Sequence, residues 1–254
     1  MNKIIKGEQI VKSFGEGAEK RNVLDGVSVN INEGEFISIM GPSGSGKTTL
    51  MFALSGMDVI DSGNIFFDGV DLSQLNDNDL ADIRRRKMGF VFQQPTLLKN
   101  LKILDNIILP SMRDNKKNIG QISEKARTLL KKTNILELEK RDITQASGGQ
   151  LQRVGICRAL MNAPKIIFGD EPTGALNSTS ANEIMDLLAD IHRIGTTILL
   201  VTHDVRVAAR TERTLFMFDG KISGEYLSGT YNKDHDDLNS REKHLTMLLS
   251  KMNF

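Results

Sequence analysis

The segment Gly41-Pro42-Ser43-Gly44-Ser45-Gly46-Lys47-Thr48 fills the phosphate-binding pattern G-x-x-x-x-G-K-[ST]. Immediately before it, Phe36-Ile37-Ser38-Ile39-Met40 is a short apolar run suited to a buried strand, and from Thr49 to Leu54 the chain reads as helix. Strand, glycine loop and helix together are the context this pattern needs. The glycines let backbone N–H groups turn toward a chain of phosphates, and the following helix adds the positive end of its dipole. In that setting Lys47 reaches the β- and γ-phosphates, and the Thr48 hydroxyl ligates Mg²⁺.

Further strand-like runs flank this core: Gln9 to Lys12, Val27 to Ile31, Ile65 to Phe67, Gly89 to Phe92, Lys165 to Phe168, Thr197 to Val201 and Thr214 to Phe218. Several are continuous apolar segments, as expected of strands buried on both faces. Between the later ones, Ala181, Ile184, Met185, Leu188 and Ile191 recur at helical spacing, with Ser178 placed as a cap and Gly195 as a stop. Strands alternating with helices imply a layered α/β domain with parallel pairing. Two regions break the rhythm. The segment before Glu35 alternates as antiparallel strands do, and the stretch from Pro95 to Ala146 reads as helical, with Ala126, Leu129, Leu130 and Ile135 facing inward.

The 254 residues suffice for a substantial core, and 39% apolar with 26% charged residues describe an ordinary globular protein. With 33 Lys plus Arg against 32 Asp plus Glu there is no basic field to argue for a nucleic-acid partner. A lone cysteine, Cys157, can form neither an internal disulfide nor a zinc site by itself, which fits a reducing cytoplasm. The N-terminus lacks a secretory signal, and no apolar run approaches the ~20 residues of a membrane span. A membrane role therefore calls for a partner chain.

Two further segments carry chemistry. Lys165-Ile166-Ile167-Phe168-Gly169-Asp170-Glu171 is an apolar strand ending in two carboxylates, and ligands of parallel sheets collect at such carboxyl ends, which should place them beside the phosphate loop. Asp170 is suited to the Mg²⁺ shell and Glu171 to orienting or deprotonating an attacking water. Ser147-Gly148-Gly149-Gln150, ahead of an apolar helical run, is a second anion-ready helix start with exposed amides and a hydroxyl.

This order of motifs resembles the ATP-binding subunit of ABC transporters over essentially Ile4 to Ser223, on GPSGSGKTT at 41–49, SGGQLQR at 147–153, IIFGDEPTGALNS at 166–178 and LLVTHD at 199–204. The resemblance implies a P-loop NTPase core with a mostly parallel sheet, an N-terminal antiparallel β subdomain and an inserted α-helical subdomain at 95–162. It implies an ATPase domain over 1–230 and a polar linker with an amphipathic helix at 231–254. It further implies a head-to-tail dimer in which Gly41 to Thr49 of one copy and Ser147, Gly148, Gly149 and Gln150 of the other close on one ATP with its Mg²⁺. Carried over, Phe14 stands for the aromatic on adenine, where tyrosine is more usual, Gln93 for the glutamine that touches Mg²⁺ and water, and His203 for the switch histidine. Lys47, Glu171 and His203 are then the catalytic set, and Thr48, Gln93 and Asp170 the metal set.

Two positions depart from the pattern. Ala146 replaces a leucine before Ser-Gly-Gly, and Asn177 replaces an aspartate in a loop that crosses the dimer interface of the family, which should reduce coupling between the two ATP sites. Within the family, the chain looks most like the branch serving macrolide export, lipoprotein release and bacitracin- or nisin-type peptide resistance. An antimicrobial-peptide resistance ATPase, peripheral on the cytoplasmic face through a permease, is the expected function. Lipoprotein-release or cell-division-type ATPases are the alternatives, together with a soluble nucleic-acid-associated ATPase of the same superfamily. Cys157 reads as core, and Arg84-Arg85-Arg86-Lys87 as a solvated helix end. His192, His235 and His244 receive no role. At the C-terminus, Ser240 is placed to cap a last helix on which Leu245, Leu248, Leu249 and Met252 share a face, packed on its own domain, a dimer mate or a membrane partner.

Overall fold

A computed structural model describes residues 2–113, 118–231 and 237–252. The polar linker residues Asp234, His235 and Asp236 lie outside the described residues. The chain divides into two compact units, one formed by residues 1–80 with 197–254 and the other by 81–196.

The first unit holds the antiparallel strands β1 (Lys3–Phe14), β2 (Arg21–Asn32), β4 (Ser62–Phe67) and β5 (Val70–Asp71), in the order β2-β1-β4-β5. Along β2 the side chains of Leu24, Val27, Val29 and Ile31 are buried, and Ser28 and Asn30 between them are exposed, which is the two-residue period of a half-covered sheet. The same unit contains β3 (Phe36–Met40), β8 (Thr197–Thr202), β9 (Arg213–Phe218) and β10 (Lys221–Leu227). β3 runs parallel to both β8 and β9, and β10 turns back antiparallel to β9. All five residues of β3 are buried, as a strand sandwiched between parallel neighbours requires. The helices α1 (Lys47–Leu54), α7 (Val205–Ala208) and α8 (Leu238–Lys251) complete this unit.

α8 begins two residues before the position expected for its cap. Asp237 precedes it without capping it, and Arg241 reaches back to Asp237 Oδ2 at 2.7 Å and to the carbonyls of Gly229 and Thr230. Ser240 thus lies within the helix. Leu245 is fully buried in a cluster with Met40, Ala208, Ala209 and Phe216, and Leu248, Leu249 and Met252 pack against its edge. The apolar face therefore covers its own unit. His244 stacks on Tyr226 with ring centroids 5.0 Å apart.

In the second unit β6 (Met88–Phe92) and β7 (Ile166–Asp170) pair in parallel, with Phe92 opposite Asp170. α2 (Asp77–Lys87) leads into β6 and ends in the Arg84–Lys87 run, where Arg85 pairs with Asp82. The stretch expected to be helical contains α3 (Ile103–Met112) and α4 (Ile119–Lys132), followed by α5 (Gly148–Leu160). Ala126, Leu130 and Ile135 lie in its apolar cluster with Ile107 and Val154, and Leu129 packs at the rim. Cys157 is in the same cluster, its Sγ 3.2 Å from Thr133 Oγ1. α6 (Ser178–Arg193) starts from Asn177, not from Ser178: the extended Asn177 backbone frees its side chain to accept the Ser180 amide, and Ser178 is already helical. Gly195 follows the helix at φ +100°, a left-handed stop that suits glycine.

Candidate nucleotide site

The phosphate loop is built in the first unit between β3 and α1. Gly46 precedes the helix at φ +100°, and Gly44 has φ +81°, both in the region glycine favours. At Gly41 an added Cβ would lie 2.1 Å from the Met217 carbonyl oxygen and 2.7 Å from Ser45 Oγ, so no larger residue fits. The Lys47 side chain is buried, and its ammonium donates to the carbonyl oxygens of Gly41 at 2.8 Å and Pro42 at 2.7 Å. These bonds hold the cation inside the loop. Ser45 Oγ is buried with no hydrogen-bond partner, an unmet demand that a phosphate oxygen would satisfy. Ser43 is exposed, and Thr48 and Thr49 are half-buried on the first turn of α1. A closely fitted glycine cradle, a held ammonium and an orphaned hydroxyl fit a polyphosphate group.

Phe14, at the end of β1, is 49% exposed, with the Lys12 ammonium 5.0 Å from its ring centroid. His203 is exposed just beyond β8. The turn after it is fixed by Thr202 Oγ1, which accepts the Asp204 amide at 3.0 Å, and by Asp204, which caps α7. Burial pushes the Asp204 carboxyl up, but the side chain and amide of Arg206 outweigh it and hold the group below its ordinary value.

The second unit gathers the other predicted residues. Because Phe92 is in register with Asp170, Gln93 and Glu171 leave β6 and β7 at the same end. Glu171 has φ +46°, a left-handed conformation costing a non-glycine residue about 1 kcal/mol, and it turns the chain sharply off the strand. Its carbonyl accepts the Gly174 amide at 3.0 Å. A Cβ at Gly174 would come 2.9 Å from Gln93 Nε2, so the glutamine side chain lies directly on that turn. Ser147 opens α5 with a reciprocal cap: its Oγ accepts the Gln150 amide at 3.3 Å and Gln150 Oε1 accepts the Ser147 amide at 2.8 Å. Gln150 is thus engaged in shaping the helix start. Ala146 packs on the apolar cluster, Gly148 approaches Leu176 in the loop before α6, and Gly149 approaches Ser180 in the first turn of α6.

Two supporting residues had no sequence signal of their own. Gln152 is buried and donates from Nε2 to the Phe92 carbonyl at 3.0 Å, fastening α5 to the strand that ends at Gln93. Asn106 is fully buried; its amide donates to the carbonyls of Leu98, Leu101 and Lys102, and its Oδ1 accepts the Leu98 amide. It pins the loop that follows Gln93. Both are ordinary polar residues in a helical pattern, and only their burial gives them away.

The model of the ABC transporter family matches residues 24–174. The chain belongs to that family. A macrolide export ATP-binding/permease protein, MacB, from Mannheimia succiniciproducens is 42% identical over 86% of this chain, and its counterpart from Chlorobaculum tepidum is 42% identical over 84%. This chain spans about a third of the length of these curated relatives, 34% and 32% respectively. Among solved structures, a dimeric ATP-binding cassette in a post-hydrolysis state bound to ADP and Pi is 37% identical, with a TM-score of 0.81 over 89% of this chain and 100% of that one. Among the described residues no helix is long and apolar enough to cross a membrane.

Proposed function

We propose that this ABC family member is the ATP-hydrolysing subunit of a transporter, that two copies pair head to tail around ATP, and that they drive a membrane permease of the antimicrobial-export type. The observation that carries the reading is the presence of two differently built anion-ready helix starts on one chain, Gly46–Lys47 and Ser147–Gly148. The permease and the export role are supported by the likeness to macrolide export ATP-binding/permease proteins. Residues 1–230 act as the ATPase domain with its helical part at 95–162, residues 231–254 follow as linker and helix, and the subunit works on the cytoplasmic face.

Each residue then has a role. Lys47 and the loop amides from Gly41 to Thr49 bind phosphate oxygens, and Phe14 offers its exposed ring to the base. Glu171 orients the attacking water and accepts its proton at a carboxylate oxygen. His203 donates a hydrogen bond to the terminal phosphate, and Ser147 with the Gly148 and Gly149 amides binds the ATP of the other copy. Thr48, Gln93 and Asp170 would hold Mg²⁺, which supplies charge neutralisation of the phosphates. Turnover of this kind depends on positioning and charge stabilisation.

The test is a pair of substitutions in the purified chain. Lys47→Ala should abolish phosphate release. Glu171→Gln should abolish release and, with ATP present, convert the monomer into a stable dimer by light scattering. Wild-type turnover in Glu171→Gln would overturn the role of Glu171.

A further inference from the structure

Arg153 closes the Ser147–Arg153 motif, yet none of the roles above uses it. From α5 its Nη1 donates to the Thr133 carbonyl oxygen at 2.9 Å, where α4 ends, and its Nη2 donates to Glu183 Oε2 at 2.7 Å on α6. The planar guanidinium serves both directions at once, and the end of α4 is the negative end of that helix. The contact continues a closer one. A Cβ at Gly149 would stand 3.1 Å from Ser180 Oγ, and Ser180 is the residue whose amide Asn177 caps. Arg153 lies four residues beyond Gly149 and Glu183 three beyond Ser180, so the ion pair repeats the same helix–helix contact about one turn further along.

We propose that Arg153 and Glu183 form a positioning pair that locks the Ser147-Gly148-Gly149 start of α5 to the Gly174–Asn177 turn before α6, so that both are presented as one rigid piece to the ATP held by a second copy. The inference rests on the dimer reading above and adds a device to it. The Arg153 side chain is 18% exposed and that of Glu183 53%, and pairs so open to water add little to folding stability. Their effect belongs to orientation. Neither residue belongs to the nucleotide-binding set proposed above, so binding to the monomer should be independent of the pair.

The experiment titrates ATP into the full chain carrying Glu171→Gln and follows dimer formation by light scattering. Arg153→Ala and Glu183→Ala, each added to that background, should raise the ATP concentration for half-maximal dimer about fivefold, and the double variant should behave as Arg153→Ala alone. Fluorescent ADP binding to the monomer should be unchanged throughout, which a general loss of structure would not allow. Glu183→Ala alters an exposed side chain and keeps the test decisive even where Arg153→Ala folds poorly. An unshifted midpoint in Glu183→Ala, or shifts that add in the double variant, overturns the positioning role. A parent Glu171→Gln chain that stays monomeric in ATP overturns the dimer reading itself, and the positioning role with it.

Discussion

Asn177 Oδ1 accepts the backbone amide of Ser180 at 2.9 Å and thereby caps α6. A carboxamide makes this bond as well as a carboxylate does but brings no charge to the positive helix end. Asn177→Ala should therefore cost about 1 kcal/mol in denaturant unfolding, whereas Asn177→Asp should be neutral or stabilising by about 0.5 kcal/mol. Because the added charge falls in the loop proposed to cross between copies, Asn177→Asp should also raise the Hill coefficient of ATP hydrolysis. Identical cooperativity in the two proteins would remove any coupling role for this position.

Gly41→Ala brings a methyl group to within 2.1 Å of the Met217 carbonyl oxygen, a backbone atom that cannot step aside alone. The expected cost is roughly 1–3 kcal/mol of stability. Nucleotide binding, read by fluorescent ADP, should weaken at least about tenfold, because the loop amides move with the backbone.

Leu245 is the fully buried residue through which α8 holds to its unit. Leu245→Ala should cost about 2–4 kcal/mol and expose the amides of 238–252 to hydrogen exchange before the rest of the chain. Met247→Ala, on a 44% exposed side chain, should leave stability within about 0.5 kcal/mol of the parent.

The Asp204 carboxyl sits below its ordinary value of 3.8, burial being outweighed by Arg206. A carboxylate with a depressed folded-state pKa contributes stability above its unfolded pKa and loses it as pH falls through the folded value. Asp204→Asn should accordingly melt earlier than the parent at pH 7. The gap should close as pH falls from just above 3.8 through lower values. A gap that does not change with pH would show that the cap, and not the ionised group, carries the effect.

Burial pushes the Cys157 thiol up to about 11, with Thr133 and Arg153 only partly opposing it. The thiolate is the reactive form, so the folded chain at pH 7.5 should resist maleimide labelling and label fully once denatured.

Much of the fold follows from local pattern. The eight strand-like runs all fall in strands, and those buried on both faces, such as β3 and β8, leave a continuous apolar signature. β10 escapes that logic: it is a strand over Lys221–Leu227 in which no side chain is fully buried, with Gly224 and Glu225 in its middle. Hydrogen bonds to β9 define it, and they leave no mark on composition. β5 and α7 are too short for any period to show.

The chemistry of the chain is written in contiguous motifs, because a phosphate cradle, a strand-end carboxylate pair and a Ser-Gly-Gly helix start are each built from neighbouring residues. Lys47, Asp170, Glu171 and Ser147 could therefore be named from their order alone. The supports of those motifs could not. Gln152 on the Phe92 carbonyl, Asn106 in the loop after Gln93, and Arg153 between Thr133 and Glu183 join residues distant in the chain. Such partners depend on which face each helix turns inward and how far each strand runs, and packing sets those only when the whole unit has formed.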